Sequence, residues 1–181
     1  MSASFSSATI VEFWTEAGPG RWFKKDVAFD DEFRTKFAAE YEAAASGALD
    51  AWATTAEGAL GLMILLDQYP RNSFRGTARM FATDLKALSI AKQVIALGFD
   101  IAVDPALRRF MYLPFMHCEQ LAEQDRALKL YAPLGIESQR YAVMHRDIIA
   151  RFNRFPHRNA LLGRTTTVEE QAFLDDGGFA G

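Results

Sequence analysis

Apolar residues along this chain recur at helical spacing, and no segment shows the sustained alternation of a half-buried strand bounded by hairpin turns. The pattern predicts an all-α fold of about eight helices. The first runs from Ser7 to Ala17 and stops at Gly18-Pro19-Gly20. Asp30 is placed to cap a second, whose Phe33, Phe37 and Tyr41 share one face before Gly47. A third, Thr55 to Gln68, is apolar on nearly all sides, as a central buried helix must be, and Pro70 is expected to end it. A fourth opens at Asp84 and aligns Leu85, Leu88, Ala91 and Ile95 before Gly98.

Further on, Asp104-Pro105 supplies a cap and a proline for the first helical position. Pro114 either breaks that helix or begins the next, which continues to Tyr131 and the Pro133 and Gly135 turn. A long helix from Glu137 to Phe155 follows. Thr167 and Glu170 have the spacing of a capping box for a last short helix that ends at Gly177-Gly178. Short connections favour antiparallel neighbours, hence a right-angled or superhelical stack of helix pairs. Tyr69-Pro70-Arg71-Asn72 is echoed by Phe155-Pro156-His157-Arg158-Asn159, each just after a helix.

At 181 residues the chain is one domain's length, so residues 1–181 are expected to share one core, with short flexible ends at about 1–5 and 177–181. Fifteen Phe and three Trp place it at the aromatic-rich end of globular composition, which confines expected disorder to those ends. The lone cysteine, Cys118, has no internal partner for a disulfide, as suits a reducing, cytoplasmic setting. The opening MSASFSSATIVEFW lacks the pattern of a secretion signal. The longest apolar run, Ala59 to Leu66, falls far short of the ~20 residues of a membrane span.

A net charge of −3 speaks against general attraction to nucleic acid or anionic membranes. Positive charge is nevertheless concentrated in two acid-free stretches. Gln68 to Arg79 holds Arg71, Arg75 and Arg79, and Arg151 to Arg164 holds Arg151, Arg154, Arg158 and Arg164 with His157. Planar guanidinium forks bind phosphate or carboxylate bidentately. Convergence of the two stretches would therefore make an anion pocket, whose candidate residues are Arg71, Asn72, Arg75, Arg79, His117, Glu119, His145, Arg154, His157, Arg158 and Asn159. The architectural alternative is that these arginines and asparagines bond helix carbonyls and the acids Asp67, Asp84 and Glu119.

The histidines do not make a local metal site. His117 with Glu119, and His145 with Asp147, are two residues apart, so on a helix each pair would diverge by about 160°. No metal and no cofactor is expected. Both histidines read as half-buried groups that bond a neighbour, with a polar acid or base pocket as the alternative. Cys118 reads as a buried structural thiol. No nucleophile elbow, phosphate loop, dinucleotide fingerprint or paired-cysteine motif occurs, so catalytic residues are unassigned and enzyme status stays open.

Three stretches carry a family resemblance: Leu66-Asp67-Gln68-Tyr69-Pro70-Arg71-Asn72 through Arg75-Gly76-Thr77-Ala78-Arg79 to Asp84, then Leu113-Pro114-Phe115-Met116-His117 with Glu119, and His145-Arg146-Asp147-Ile148-Ile149 through Asn159 to Gly163-Arg164. In these the chain resembles the bacterial domain-of-unknown-function family 924 over nearly its whole length. The resemblance implies an all-helical fold similar to tetratricopeptide-repeat proteins, with no established activity, ligand or partner. Serine is usual in that family where Cys118 stands, and glycine where Asn153 stands. The first departure weakens any cysteine-nucleophile reading.

Two functions follow as expectations. The first is binding of a small phosphate- or carboxylate-bearing ligand at a pocket of Arg71, Arg75, His117, Glu119, His157 and Arg158. The second is a protein-interaction scaffold with a concave groove and no catalytic activity. Neither nucleic acid nor membrane is an expected partner, and the oligomeric state is not encoded in any pattern here.

Overall fold

The computed structural model describes residues 5–179, and no strand occurs among them. The α-helices are α1 (Ser7–Ala17), α2 (Pro19–Trp22), α3 (Val27–Ser46), α4 (Ala56–Met63), α5 (Tyr69–Ser73), α6 (Asp84–Ala96), α7 (Phe99–Ala102), α8 (Arg108–Met116), α9 (Leu121–Tyr131), α10 (Ile136–Phe152) and α11 (Val168–Asp175). The fold is all-helical, as the spacing predicts. No helix among the described residues is long and apolar enough to cross a membrane. Residues 1–4, part of the end expected to be flexible, lie outside the described residues, as do 180–181.

The chain packs as two compact units, Met1–Arg75 with Arg79–Pro114, and Gly76–Ala78 with Phe115–Gly181. In the first, α4 is buried from Gly58 to Met63 and touches α1 and α6, so the helix that is apolar all round is indeed central. Around it lies an aromatic core. Phe13 stacks on Phe29 and Phe33 with ring centroids 5.3 and 5.5 Å apart, and Tyr41 stacks on Tyr69 at 4.7 Å. Each fully buried ring contributes about 1.5–3 kcal/mol of transfer free energy.

Three expectations for this unit need correction. Asp26, not Asp30, caps α3 by accepting from the Phe29 amide at 3.2 Å; Asp30 is buried one turn further in. Pro70 does not end the central helix. A π turn, Ile64–Gln68, leads directly into α5, with Pro70 in its first turn. Proline has no amide hydrogen for the Leu66 carbonyl one turn earlier, and the Thr83 hydroxyl donates to that carbonyl instead. Leu85 is exposed, and the buried face of α6 is Ala87, Leu88, Ile90, Ala91 and Val94.

The second unit is built on α9 and α10, which pack together across Ala132–Gly135, and on α11. The helix expected to run unbroken into Tyr131 is interrupted: Pro114 sits inside α8, and His117 to Gln120 form a loop before α9. The buried Gln124 side chain stabilises the break, since its amide donates to the carbonyls of Met116 (2.7 Å) and Cys118 (2.6 Å). Thr167 and Glu170 form the capping box of α11. Asn153 ends α10 with φ 57°, the left-handed conformation that glycine adopts most easily and asparagine tolerates.

Candidate functional site

The arginines of the first stretch lie in the first unit, and each is held by a carboxylate. Arg71 donates from Nη1 and Nη2 to the two oxygens of Asp84 at 2.8 and 3.0 Å, and from Nη1 to the Asp67 carbonyl at 2.9 Å. Its Nη1 is also 3.3 Å from the buried Asp67 carboxylate. Arg75 forks onto Asp30, whose Oδ1 also accepts from the buried Asn72 amide at 2.7 Å. Arg79 meets Glu42 at the surface, with its guanidinium 3.8 Å from the centre of the Phe74 ring. Arg71, Asn72, Arg75 and Arg79 thus tie α3, α5 and the start of α6 into one charged network. Asp30 escaped the sequence reading because a cap and a buried anion have the same signature, an aspartate near a helix start.

The second stretch forms a comparable frame. Arg164 donates to both Glu119 oxygens at 2.7 and 3.0 Å, and Glu119 also accepts from the Phe155 amide at 2.8 Å. Burial pushes the Glu119 carboxyl up, but these donors outweigh it and hold it below the usual range. Arg154 forks onto Glu170, which also accepts from the Asn159 side chain at 3.2 Å. The Arg154 bonds draw the Glu170 carboxyl down to about 2. A shallow, open depression of about 420 Å³ lies beside this pair, lined by Arg151, Phe152, Asn153, Arg154, Thr167, Glu169 and Glu170. Its arginines are matched, Arg154 by Glu170 and Arg151 by Glu169 at 3.0 Å.

Within this frame the three histidines of the chain come together, although the spacing of His117 and His145 gave no sign of it. The His117 and His145 rings are 6.2 Å apart. His145 lies 5.5 Å from Phe155 and 4.6 Å from Phe179, and His157 lies 5.6 Å from Phe155 and 5.1 Å from Phe179. The guanidinium of the buried Arg158 sits 4.5 Å from the Phe155 ring centre and donates to the His117 carbonyl at 3.0 Å. His145 is buried, and its Nδ1 is 2.8 Å from the Tyr141 carbonyl. An N–H must therefore sit on Nδ1, which leaves Nε2 as a bare acceptor while the ring is neutral. Burial, then the nearby His117, lower the His145 pKa to about 3.

His117 and Glu119 reach these positions because the loop after α8 frees them from helical geometry, so the divergence expected of a helical pair does not apply. Cys118, between them, is a buried thiol. Among the described residues, no group of three or more His, Cys, Asp or Glu side chains is arranged to hold a metal ion. Phe179 had no sequence signal beyond an aromatic residue after a glycine pair.

The model of a family described as bacterial protein of unknown function (DUF924) matches residues 10–178. The chain belongs to this family. The chain is similar to a solved structure of a protein of unknown function from Agrobacterium tumefaciens, which superposes with a TM-score of 0.93 at 52% sequence identity, covering 94% of this chain and 97% of that one. No curated protein matches the chain. Among the residues that carry this DUF924 chain's resemblance, Asp67, Arg71, Asn72, Arg75 and Asp84 belong to the closed network of the first unit. His117, Glu119, His145, Arg154, His157, Arg158 and Asn159 belong to the second.

Proposed function

We propose that this DUF924 protein binds a small anion, a carboxylate or phosphate, at His117, His145, His157 and Arg158 in the second unit, with Glu119, Arg164, Arg154 and Asn159 holding the frame. The observation that carries this reading is the gathering of His145, His157 and the buried Arg158 guanidinium about Phe155, with the His117 ring 6.2 Å from that of His145. Groups that are or can become cationic repel one another in apolar surroundings, where electrostatic energies are large. An incoming anion relieves that repulsion. Buried groups with strongly shifted protonation, crowded by like charge, are a common mark of binding and catalytic sites. The single buried thiol fits a reducing compartment, and we place the protein in the cytoplasm on that ground.

Thermal melts with inorganic phosphate, succinate and citrate test the reading. The melting temperature rises with anion concentration, and rises more at pH 6 than at pH 8, because a bound anion draws a proton onto the imidazoles. His157→Ala removes most of the shift. No stabilisation by any of these anions at millimolar concentration would contradict the assignment.

A further inference from the structure

The residues after α11 form a shaped turn. The Gly178 amide donates to the Phe173 carbonyl at 2.9 Å and the Gly177 amide to that of Leu174 at 3.2 Å, with Gly177 left-handed at φ 79°. This bond pair closes a helix end and turns the chain back across it. A Cβ on Gly178 would collide with the Phe173 carbonyl oxygen and ring, so only glycine fits there. The turn delivers Phe179 onto the second unit's apolar cluster of Ile148, Ile149 and Phe155. Its half-buried ring rests against both His145 and His157, at 4.6 and 5.1 Å. A phenyl ring at those separations fills the van der Waals space beside both imidazoles. While it is seated, the sides of both imidazoles that it covers are closed to a ligand.

We propose that Phe179, set down by the Gly177-Gly178 turn, is a displaceable lid over the histidine and Arg158 cluster, so that seating of the ring and anion binding exclude each other. The inference rests on the anion-site reading above and adds its regulation. A side chain held by partial burial and one turn opens at small cost compared with unfolding. A lid seated about nine-tenths of the time weakens apparent affinity about tenfold.

The test is calorimetric titration of inorganic phosphate into the wild-type chain, Phe179→Ala and Gly178→Ala, with a thermal melt of each to confirm folding. Phe179→Ala removes the ring, whereas Gly178→Ala keeps it but breaks the turn that aims it. Both variants are expected to bind about tenfold more tightly than the wild type. Carbethoxylation of His145 by diethyl pyrocarbonate, followed by peptide mass, is expected to accelerate in both without phosphate. Equal affinities in all three proteins overturn the lid and leave the site standing. Weaker binding by Phe179→Ala also overturns it, making the ring a wall of the site. No binding by any of them removes the site reading and the lid with it, and unchanged His145 reactivity in both variants overturns the lid whatever the phosphate result.

Discussion

Two arginine-bearing turns of similar sequence, Tyr69-Pro70-Arg71-Asn72 and Phe155-Pro156-His157-Arg158-Asn159, do different work. The first continues a helix through a π turn, and its Arg71 is enclosed by Asp67 and Asp84. The second leaves α10 through left-handed Asn153 and a 3₁₀ turn, Pro156–Arg158, and its Arg158 lies over a phenyl ring among imidazoles. The difference lies in what the neighbouring elements supply. Carboxylates arrive from α3 and α6 in the first unit, and histidines from the loop after α8 and from α10 in the second. Arg71 is enclosed by carboxylates, whereas Arg158 lies among imidazoles with Glu119 near enough for the guanidinium to help hold its carboxyl down.

The largest expected effect probes the closed network. Arg71→Met leaves Asp67 buried and Asp84 nearly so without their shared cation, and should cost about 3–5 kcal/mol in denaturant unfolding. A loss under about 1 kcal/mol would show that the network is not what holds α5 to α6. In the second unit, Glu119→Ala strands the Phe155 amide and Arg164, and should cost about 2–3 kcal/mol while also weakening anion-induced stabilisation. Undiminished anion response in a destabilised Glu119→Ala protein would separate the frame from the site.

Proton linkage distinguishes the units next. His145 has a folded pKa of about 3, below the ordinary 6.5, so the unfolded chain binds the proton that the native one refuses. Its contribution is fully present above pH 6.5 and is lost as pH falls towards 3, at a slope approaching ~1.4 kcal/mol per pH unit. The lowered carboxyls of Glu119 and Glu170 act in the same direction, but only from the ordinary carboxylate pKa of 4.5 downwards. His145→Gln should therefore flatten the stability profile between pH 6.5 and 5 and leave the steeper acid limb. The smallest effect belongs to Arg79→Ala: its exposed pair with Glu42 should be worth no more than about 1 kcal/mol and should weaken further with salt.

Much of the architecture was legible because its signals are local. The first helix, the all-round apolar α4, the capping box at Thr167 and Glu170, and the family all follow from spacing and motif. What stayed hidden depends on groups that meet only after folding. The π turn and Thr83 at the Leu66 carbonyl are a tertiary answer to Pro70. The loop at His117 is fixed by Gln124, whose sequence position reads as one more residue on an amphipathic helix. Nothing in the spacing of the expected site residues tells which arginines close onto buried carboxylates and which lie beside imidazoles. Asp30 was assigned a cap, and Phe179 no role at all.

Titration of the imidazole C2 protons by NMR at pH 7, with inorganic phosphate and then succinate, tests the contrast between the units most directly. The His117, His145 and His157 signals should move together with a single dissociation constant for at least one anion, while the Trp14 and Trp22 indole signals of the first unit stay fixed. Three histidine signals that ignore both anions, or that respond with unrelated constants, would contradict it.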